Sequence, residues 1–250
     1  MINLFLVMAS VAFAGNIPAG APTVNTGEVR IRAFNEMQDL SALAEIREAG
    51  QADNQQYQSI LLGTYYHLND HWRAGVFYQR QYGVRHDEDW QKDTVTGWGW
   101  INTSQRGEDL AVIDLSPKLH LGFLPGETWT LEFKNRYEYN FFDQDQNLHL
   151  RQTLTYFWLK QDQPFLHFFL QCEQVFPLNY GVMPINEQWT YLGMVYQRSE
   201  SVQLGFFAAT QWQSWANTSQ FSAQTGNSYV VSAGSNVLGF LAIFKMGNHD

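Results

Sequence analysis

The 250-residue chain carries 24 acidic against 15 basic residues, a formal net charge of −9, and this balance argues against nucleic acid as a partner. Aromatic residues make up 16% of the chain and charged residues also only 16%, a combination that suits a protein whose outer surface meets lipid. No apolar run approaches the roughly 18 residues of a membrane-spanning helix, whereas a closed β-barrel crosses a bilayer with strands that are half polar.

The amino-terminal segment has the features of a secretory signal peptide. Residues 2–12 are mostly apolar, and Ala12-Phe13-Ala14 followed by Gly15 forms a small-residue cleavage signal. We predict a signal peptide over residues 1–14, although no Lys or Arg precedes the apolar run; a buried first strand is the alternative. Residues 15–39 are predicted to be a leader, with a possible short extra strand where residues 28–35 alternate.

A period of two dominates the chain from Leu40 onward. In residues 131–141, aromatic and aliphatic side chains fall on one face and charged side chains on the other. A soluble sandwich has little room for so many charges on its inner face, whereas a transmembrane barrel turns apolar residues to lipid and polar residues to its lumen. We predict an all-β fold, a transmembrane antiparallel up-and-down β-barrel over residues 40–250. A soluble β protein with an aromatic core is the alternative.

About ten strands are predicted, an even number typical of single-chain bacterial barrels, with twelve as the alternative. Their approximate ranges are 40–48, 57–68, 71–83, 108–121, 127–141, 147–160, 163–176, 187–198, 202–214 and 227–245. Short turns alternate with longer connections, which predicts short periplasmic turns, long outer loops and both termini in the periplasm. The longest connection, residues 84–107, carries three tryptophans and several charges. It is interpreted as a constriction of the barrel mouth, a lipopolysaccharide contact or a solvated cap.

The tight turns allow the strand register to be predicted. Closing hairpins around residues 124–126, 143–146 and 161–163 brings opposite charges level on the polar face. The predicted facing pairs are Asp114–Arg136 and Lys118–Glu132, and the predicted triad is Glu138–Arg151–Glu173. This lattice is expected to fix the register, because an unpaired charge in a confined interior is costly; a lining that selects a solute is the functional alternative. The predicted lumen-lining residues are Asp114, Lys118, Glu132, Lys134, Arg136, Glu138, His149, Arg151, His167 and Glu173.

No catalytic or metal-binding motif is found in the sequence. Neither a Gly-x-Ser-x-Gly nor a His-Glu-x-x-His pattern occurs, and the histidines are too scattered for a metal site of recognisable spacing. The candidates for a hydrolytic site are His120, His149, His167, Asp114, Glu173 and Ser116. We predict no catalytic residue, no metal and no cofactor, and an outer-membrane barrel that is structural or a narrow solute channel. An envelope lipid-modifying hydrolase is the alternative.

Four short segments carry a resemblance to a known family. They are FKNRYEY at 133–139, LRQTLTY at 150–156, EQVF at 173–176 and EQWTYLG at 187–193. Over residues 40–214 the chain resembles a family of Gram-negative outer-membrane barrels described only as a domain of unknown function, and more weakly the small oligosaccharide-specific porins. The resemblance implies an outer-membrane barrel without an established activity. The expected partners are outer-membrane lipid, lipopolysaccharide, the barrel assembly machinery and a possible small polar solute, with no nucleic acid.

Overall fold

The computed structural model describes residues 23–50, 56–83, 90–93, 97–100, 107–124, 128–142, 144–161, 163–179, 184–216 and 230–247. The predicted signal peptide, residues 1–14, lies outside them. The described residues contain no helix with the length and apolar character needed to cross a membrane. They form β1 (Thr23–Met37), β2 (Leu40–Gly50), β3 (Gln56–Asn69), β4 (Trp72–Tyr82), β5 (Trp90–Asp93), β6 (Gly97–Trp100), β7 (Gly107–His120), β8 (Trp129–Asn140), β9 (Gln146–Lys160), β10 (Gln163–Pro177), β11 (Glu187–Ser199), β12 (Val202–Ala216) and β13 (Val230–Met246).

Eleven of the described strands close into a barrel, in the order β1-β13-β12-β11-β10-β9-β8-β7-β4-β3-β2. Strands β5 and β6 pair separately, within the connection between β4 and β7. Every neighbouring pair in the barrel is antiparallel except β1 and β13, which run parallel from Thr23 beside Gly234 to Asn35 beside Met246. The count lies between the predicted ten and twelve. The expectation of a wholly antiparallel barrel fails at this one seam, because an odd number of strands makes the first and last run in the same direction.

The strand that the prediction did not count is β1. It lies in the segment interpreted as a leader with a possible short strand. Its sequence alternates Glu28, Arg30 and Arg32, which line the interior, with Val29 and Ile31, which are exposed on the outside. This is the same period-two pattern of polar inward and apolar outward residues as in the other strands, and it suits β1 to a place in the barrel wall.

The connections differ in length between the two ends of the barrel. At one end, called the short-turn end, the strands that finish at Met37, Asn69, His120, Lys160 and Ser199 are followed in sequence by the next barrel strand after two to eight residues. At the other, called the long-connection end, the strands that finish at Gly50, Tyr82, Asn140, Pro177 and Ala216 are followed by the next barrel strand after five to 24 residues. With eleven strands, β1 starts at the long-connection end and β13 finishes at the short-turn end. The prediction that both termini share one end is therefore wrong for the first and last strands.

The two faces of the barrel strands differ in polarity. On β7, Val112 and Asp114 point inward and are completely buried, whereas Ile113 between them is 54% exposed. Leu192 on β11 and Leu238 on β13 are also outward and are 64% and 74% exposed. Large apolar side chains therefore cover the outside of the barrel, while charged side chains are buried within it.

Two apolar clusters fill part of the interior. One joins β2, β3, β4 and β7 and comprises Leu43, Leu61, Tyr65, Phe77, Leu110 and Val112. The other joins β11, β12 and β13 and comprises Tyr191, Phe207, Ala209 and Val237. Glycines make room for the rings: a Cβ atom on Gly239 would lie 2.0 Å from Cζ of Phe207 on the neighbouring strand. The charged strands β8–β10 and β1 lie between these clusters in the barrel order.

Candidate functional site

Asp114 begins the first ion-pair network inside the barrel. Its Oδ1 accepts a hydrogen bond from Arg136 Nε at 2.8 Å, and its Oδ2 lies 2.8 Å from Lys134 Nζ and 3.0 Å from Tyr65 Oη. Asp114 and Arg136 are direct partners across β7 and β8, which confirms the predicted pair. A completely buried carboxylate is costly without partners, and here two cations and a hydroxyl compensate its charge.

The network continues across β8, β9 and β10 through a histidine. Arg136 Nη1 lies 3.5 Å from Glu138 Oε1, and His149 Nε2 lies 3.2 Å from Glu138 Oε2, an ion-pair distance without hydrogen-bond geometry. His149 Nδ1 donates to Glu173 Oε1 at 3.0 Å. Arg151 Nη2 lies 2.7 Å from the second oxygen of Glu173. Charges of alternating sign therefore extend without interruption over four strands, and His149 bridges two carboxylates.

Arg151 has one of its two predicted partners. It faces Glu173 across β9 and β10, which confirms that half of the predicted triad. The predicted pairing with Glu138 is wrong, because Glu138 faces Asn147, four positions before Arg151. The β8–β9 hairpin closes over residues 140–145, with a backbone hydrogen bond across the turn, and not over the predicted 143–146.

Glu132 has a different cation partner from the one predicted. Lys118 and Glu132 face each other across β7 and β8, which confirms the register. The Glu132 carboxylate nevertheless contacts Arg73 Nη2 at 2.6 Å, and within the described residues no ion pair reaches Lys118. Arg73 projects from β4, with its guanidinium 4.5 Å from the centre of the Tyr65 ring. The Arg73–Glu132 pair therefore spans β7, which lies between the two strands.

A second network links β1 and β2 and was not predicted. Glu28 is buried between Arg30 and Arg47, with Arg47 Nη2 at 2.8 Å. Arg32 and Glu45 form a further pair on the same two strands. The alternation of residues 28–35 carries the signal for this network, although the glycine- and proline-rich residues before it are typical of a leader.

The arginines of this second network also contact aromatic rings. The Arg47 guanidinium lies 4.9 Å from the centre of the Tyr57 ring and 5.6 Å from that of Trp189. The Arg30 guanidinium lies 5.7 Å from the centre of the Phe207 ring. The contacts with Trp189 and Phe207 connect β1 and β2 with the apolar cluster on β11 and β12, and the contact with Tyr57 connects β2 with β3.

Both networks line a cavity of about 450 Å³, within the size range of small-molecule sites. Eight of the ten predicted lumen residues line it, namely Glu132, Lys134, Arg136, Glu138, His149, Arg151, His167 and Glu173. Asp114 lies behind Arg136, and Lys118 lines a smaller cavity at the short-turn end. Counted over the described residues, the main wall carries seven Arg or Lys and eight Asp or Glu side chains, so its charges nearly balance. Among the described residues, eight amide side chains add neutral donors and acceptors: Gln79, Gln81, Asn140, Asn147, Gln171, Asn186, Gln211 and Gln213.

The residues considered for hydrolysis are not assembled into a catalytic set. His149 is held by two carboxylates, and His167 packs on Phe157, with ring centres 5.3 Å apart. A serine–histidine contact that was not predicted occurs at the short-turn end, where Ser41 Oγ lies 2.7 Å from His67 Nε2. Among the described contacts of His67 there is no carboxylate to orient its ring, as a nucleophile–base–acid set requires.

The chemistry available in the interior is therefore recognition by charge, amide groups and aromatic faces. Within the described part of the chain, no group of three or more His, Cys, Asp or Glu side chains is arranged to hold a metal ion. Among known proteins, no family model matches this chain and no curated protein matches it significantly.

Proposed function

We propose that the protein is an outer-membrane β-barrel whose interior forms a narrow passage for a small neutral or zwitterionic polar solute. The observation that carries this proposal is the inverted polarity of the barrel. Large aliphatic and aromatic side chains are exposed on the outside, while complete ion-pair networks are buried inside. Water would favour the opposite arrangement, whereas lipid favours this one.

The outward face of β9 supports a membrane environment by its length. Its outward residues are Leu148, Leu150, Gln152, Leu154, Tyr156 and Trp158, and the first charge beyond them is Lys160. The ten steps from Leu148 to Trp158, at about 3.3 Å each on a strand tilted by roughly 40°, cover a height of about 25 Å. That is the height of the apolar band on outer-membrane barrels.

The interior supports a narrow and selective passage. The apolar clusters and ion pairs lie inside the barrel beside a cavity of about 450 Å³, a volume suited to a small molecule. Nearly balanced charges on its wall favour a solute without a strong net charge, since an ion of either sign would meet repulsion as well as attraction. The Arg73–Glu132 pair borders both this cavity and the smaller one at the short-turn end, so it separates them.

Liposome swelling with small neutral sugars and zwitterionic amino acids tests the passage. Replacing both Arg73 and Glu132 by alanine is expected to speed swelling severalfold, because the partition between the cavities is removed. The matched control is the double alanine replacement of Arg80 and Asp109, an ion pair on the outer face. The control is expected to swell like the wild type. Absence of swelling in the wild type and in the Arg73/Glu132 variant would leave a purely structural barrel.

The membrane location is tested separately. We expect the protein in the outer-membrane fraction, and we expect unboiled samples to migrate differently from boiled ones on gels, because a folded barrel resists detergent. Recovery in a soluble fraction would contradict the proposal.

A further inference from the structure

A small cavity of about 150 Å³ lies at the short-turn end of the barrel, apart from the main cavity. It is bounded by the β3–β4 turn, the last residues of β7 and the first part of β8. The side chains on its wall that matter here are Arg73, Ser116, Lys118 and Glu132, with Asn69 and Asp70 from the turn.

The hydrogen-bond acceptors on this wall are mostly occupied. Glu132 Oε1 accepts from Arg73 Nη2 at 2.6 Å, and Asn69 Oδ1 accepts from the backbone N–H of His71 at 2.8 Å. Asp70 is exposed on the turn. Arg73 therefore already pairs with one oxygen of the half-buried carboxylate that borders the cavity.

Two donors on the same wall lack partners. The Ser116 hydroxyl belongs to a residue only 1% exposed and has no hydrogen-bond partner among the described residues. The Lys118 ammonium makes no ion pair within the described residues, and its register partner Glu132 pairs with Arg73 instead. Ser116 and Lys118 are two positions apart on one strand, so they project to the same side.

We propose that this cavity binds a tetrahedral oxyanion, a phosphate or sulfate group. A buried hydroxyl is normally satisfied, and an ammonium beside it favours an anionic acceptor over water. In this site Lys118 supplies the charge, Ser116 donates a hydrogen bond, and the guanidinium of Arg73 forms the inner wall. Both donors reach a ligand that enters from the short-turn end.

Isothermal titration calorimetry with inorganic phosphate tests the site, using folded protein in a neutral detergent at constant ionic strength. The variants are Lys118→Gln and Ser116→Ala. The matched control is Lys160→Gln, a lysine at the same end whose ammonium lies over the Phe165 ring, outside the cavity. We expect saturable binding to the wild type and the control, and binding weaker by roughly tenfold or more in Lys118→Gln. Chloride titrated at the same ionic strength should give no saturable heat.

No saturable phosphate binding to the wild type would overturn the proposal, and so would equal affinities in Lys118→Gln and Lys160→Gln. Heat-modifiable gel migration verifies that each variant is folded. If Lys118→Gln does not fold, the phosphate affinity of Ser116→Ala tests the proposal instead, because this substitution removes only the unpartnered hydroxyl. An affinity equal to that of the wild type would then overturn the proposal. Competition by micelles containing phosphatidylglycerol would identify a lipid phosphate as the source of the group. Lack of competition would identify a free or solute-borne phosphate.

Discussion

Replacing Arg136 by methionine is the sharpest test of the ion-pair network. The guanidinium makes two contacts with Asp114, at 2.8 Å and 3.2 Å, and one with Glu138, at 3.5 Å. Methionine keeps most of the stem and removes the charge, so Asp114 retains only Lys134 and Tyr65. Because the Asp114 side chain is completely buried, we expect a loss of about 3–5 kcal/mol in the free energy of unfolding.

The measurement is urea unfolding in detergent micelles or lipid vesicles, followed by tryptophan fluorescence. Arg80→Met is the matched control, since Arg80 pairs with Asp109 on the outer face with about a third of each side chain exposed. Its cost is expected to be about 0–1 kcal/mol. Adding Asp114→Asn to Arg136→Met should recover part of the loss, because it removes the uncompensated charge. The reasoning is refuted if Arg136→Met costs no more than Arg80→Met, or if the double variant is no more stable than the single one.

Three further predictions follow from other parts of the barrel. In the same urea assay, Arg151→Ala should lower the free energy of unfolding less than His149→Ala does. Glu173 keeps its contact with His149 in the first variant, whereas Glu138 and Glu173 both lose a partner in the second. The reverse order would contradict the role of His149 as a bridge between the two carboxylates. Gly239→Ala should lower the free energy of unfolding by about 1–3 kcal/mol, because the new Cβ overpacks against Phe207. Gly122→Ala should change it little, because no atom lies within 4 Å of the new Cβ. Equal effects of the two substitutions would contradict the described packing around Gly239. With Cys172 replaced by alanine, cysteines introduced at Ile31 and Ala242 should form a disulfide that changes gel migration, because these residues are partners across the parallel seam. Cysteines introduced at Ile31 and Leu238 should not form one. The opposite result would require another register between β1 and β13.

The sequence predicted the strands and their faces better than the pairing between strands. The period-two pattern of β8 identifies which residues point inward, since one strand needs no partner to show it. The β7–β8 register was also predictable, because Asp114–Arg136 and Lys118–Glu132 both follow from one turn. The β8–β9 register was not predictable, because charged residues recur at every second position on the inward face and several alignments of the two strands pair opposite charges.

Other contacts in the interior could not be predicted from the pairing of neighbouring strands. The Arg73–Glu132 pair spans an intervening strand, so no hairpin register indicates it. The serine–histidine contact between Ser41 and His67 depends on rotamers as well as on pairing. The β1 strand was missed because residues 16–27 are rich in glycine, proline and asparagine, and because an even number of strands was expected.

The parallel seam between β1 and β13 has a consequence for how the barrel assembles. Thr23 pairs with Gly234, so the two strands come from nearly opposite ends of the described chain, and their pairing closes the longest loop among the described strand pairs. Such a contact forms late, and a parallel ladder is slightly less stable per residue than an antiparallel one. Until the seam closes, the sheet has two open edges, and open edges pair with strands of other chains. Aggregation during refolding is therefore expected to begin at β1 and β13.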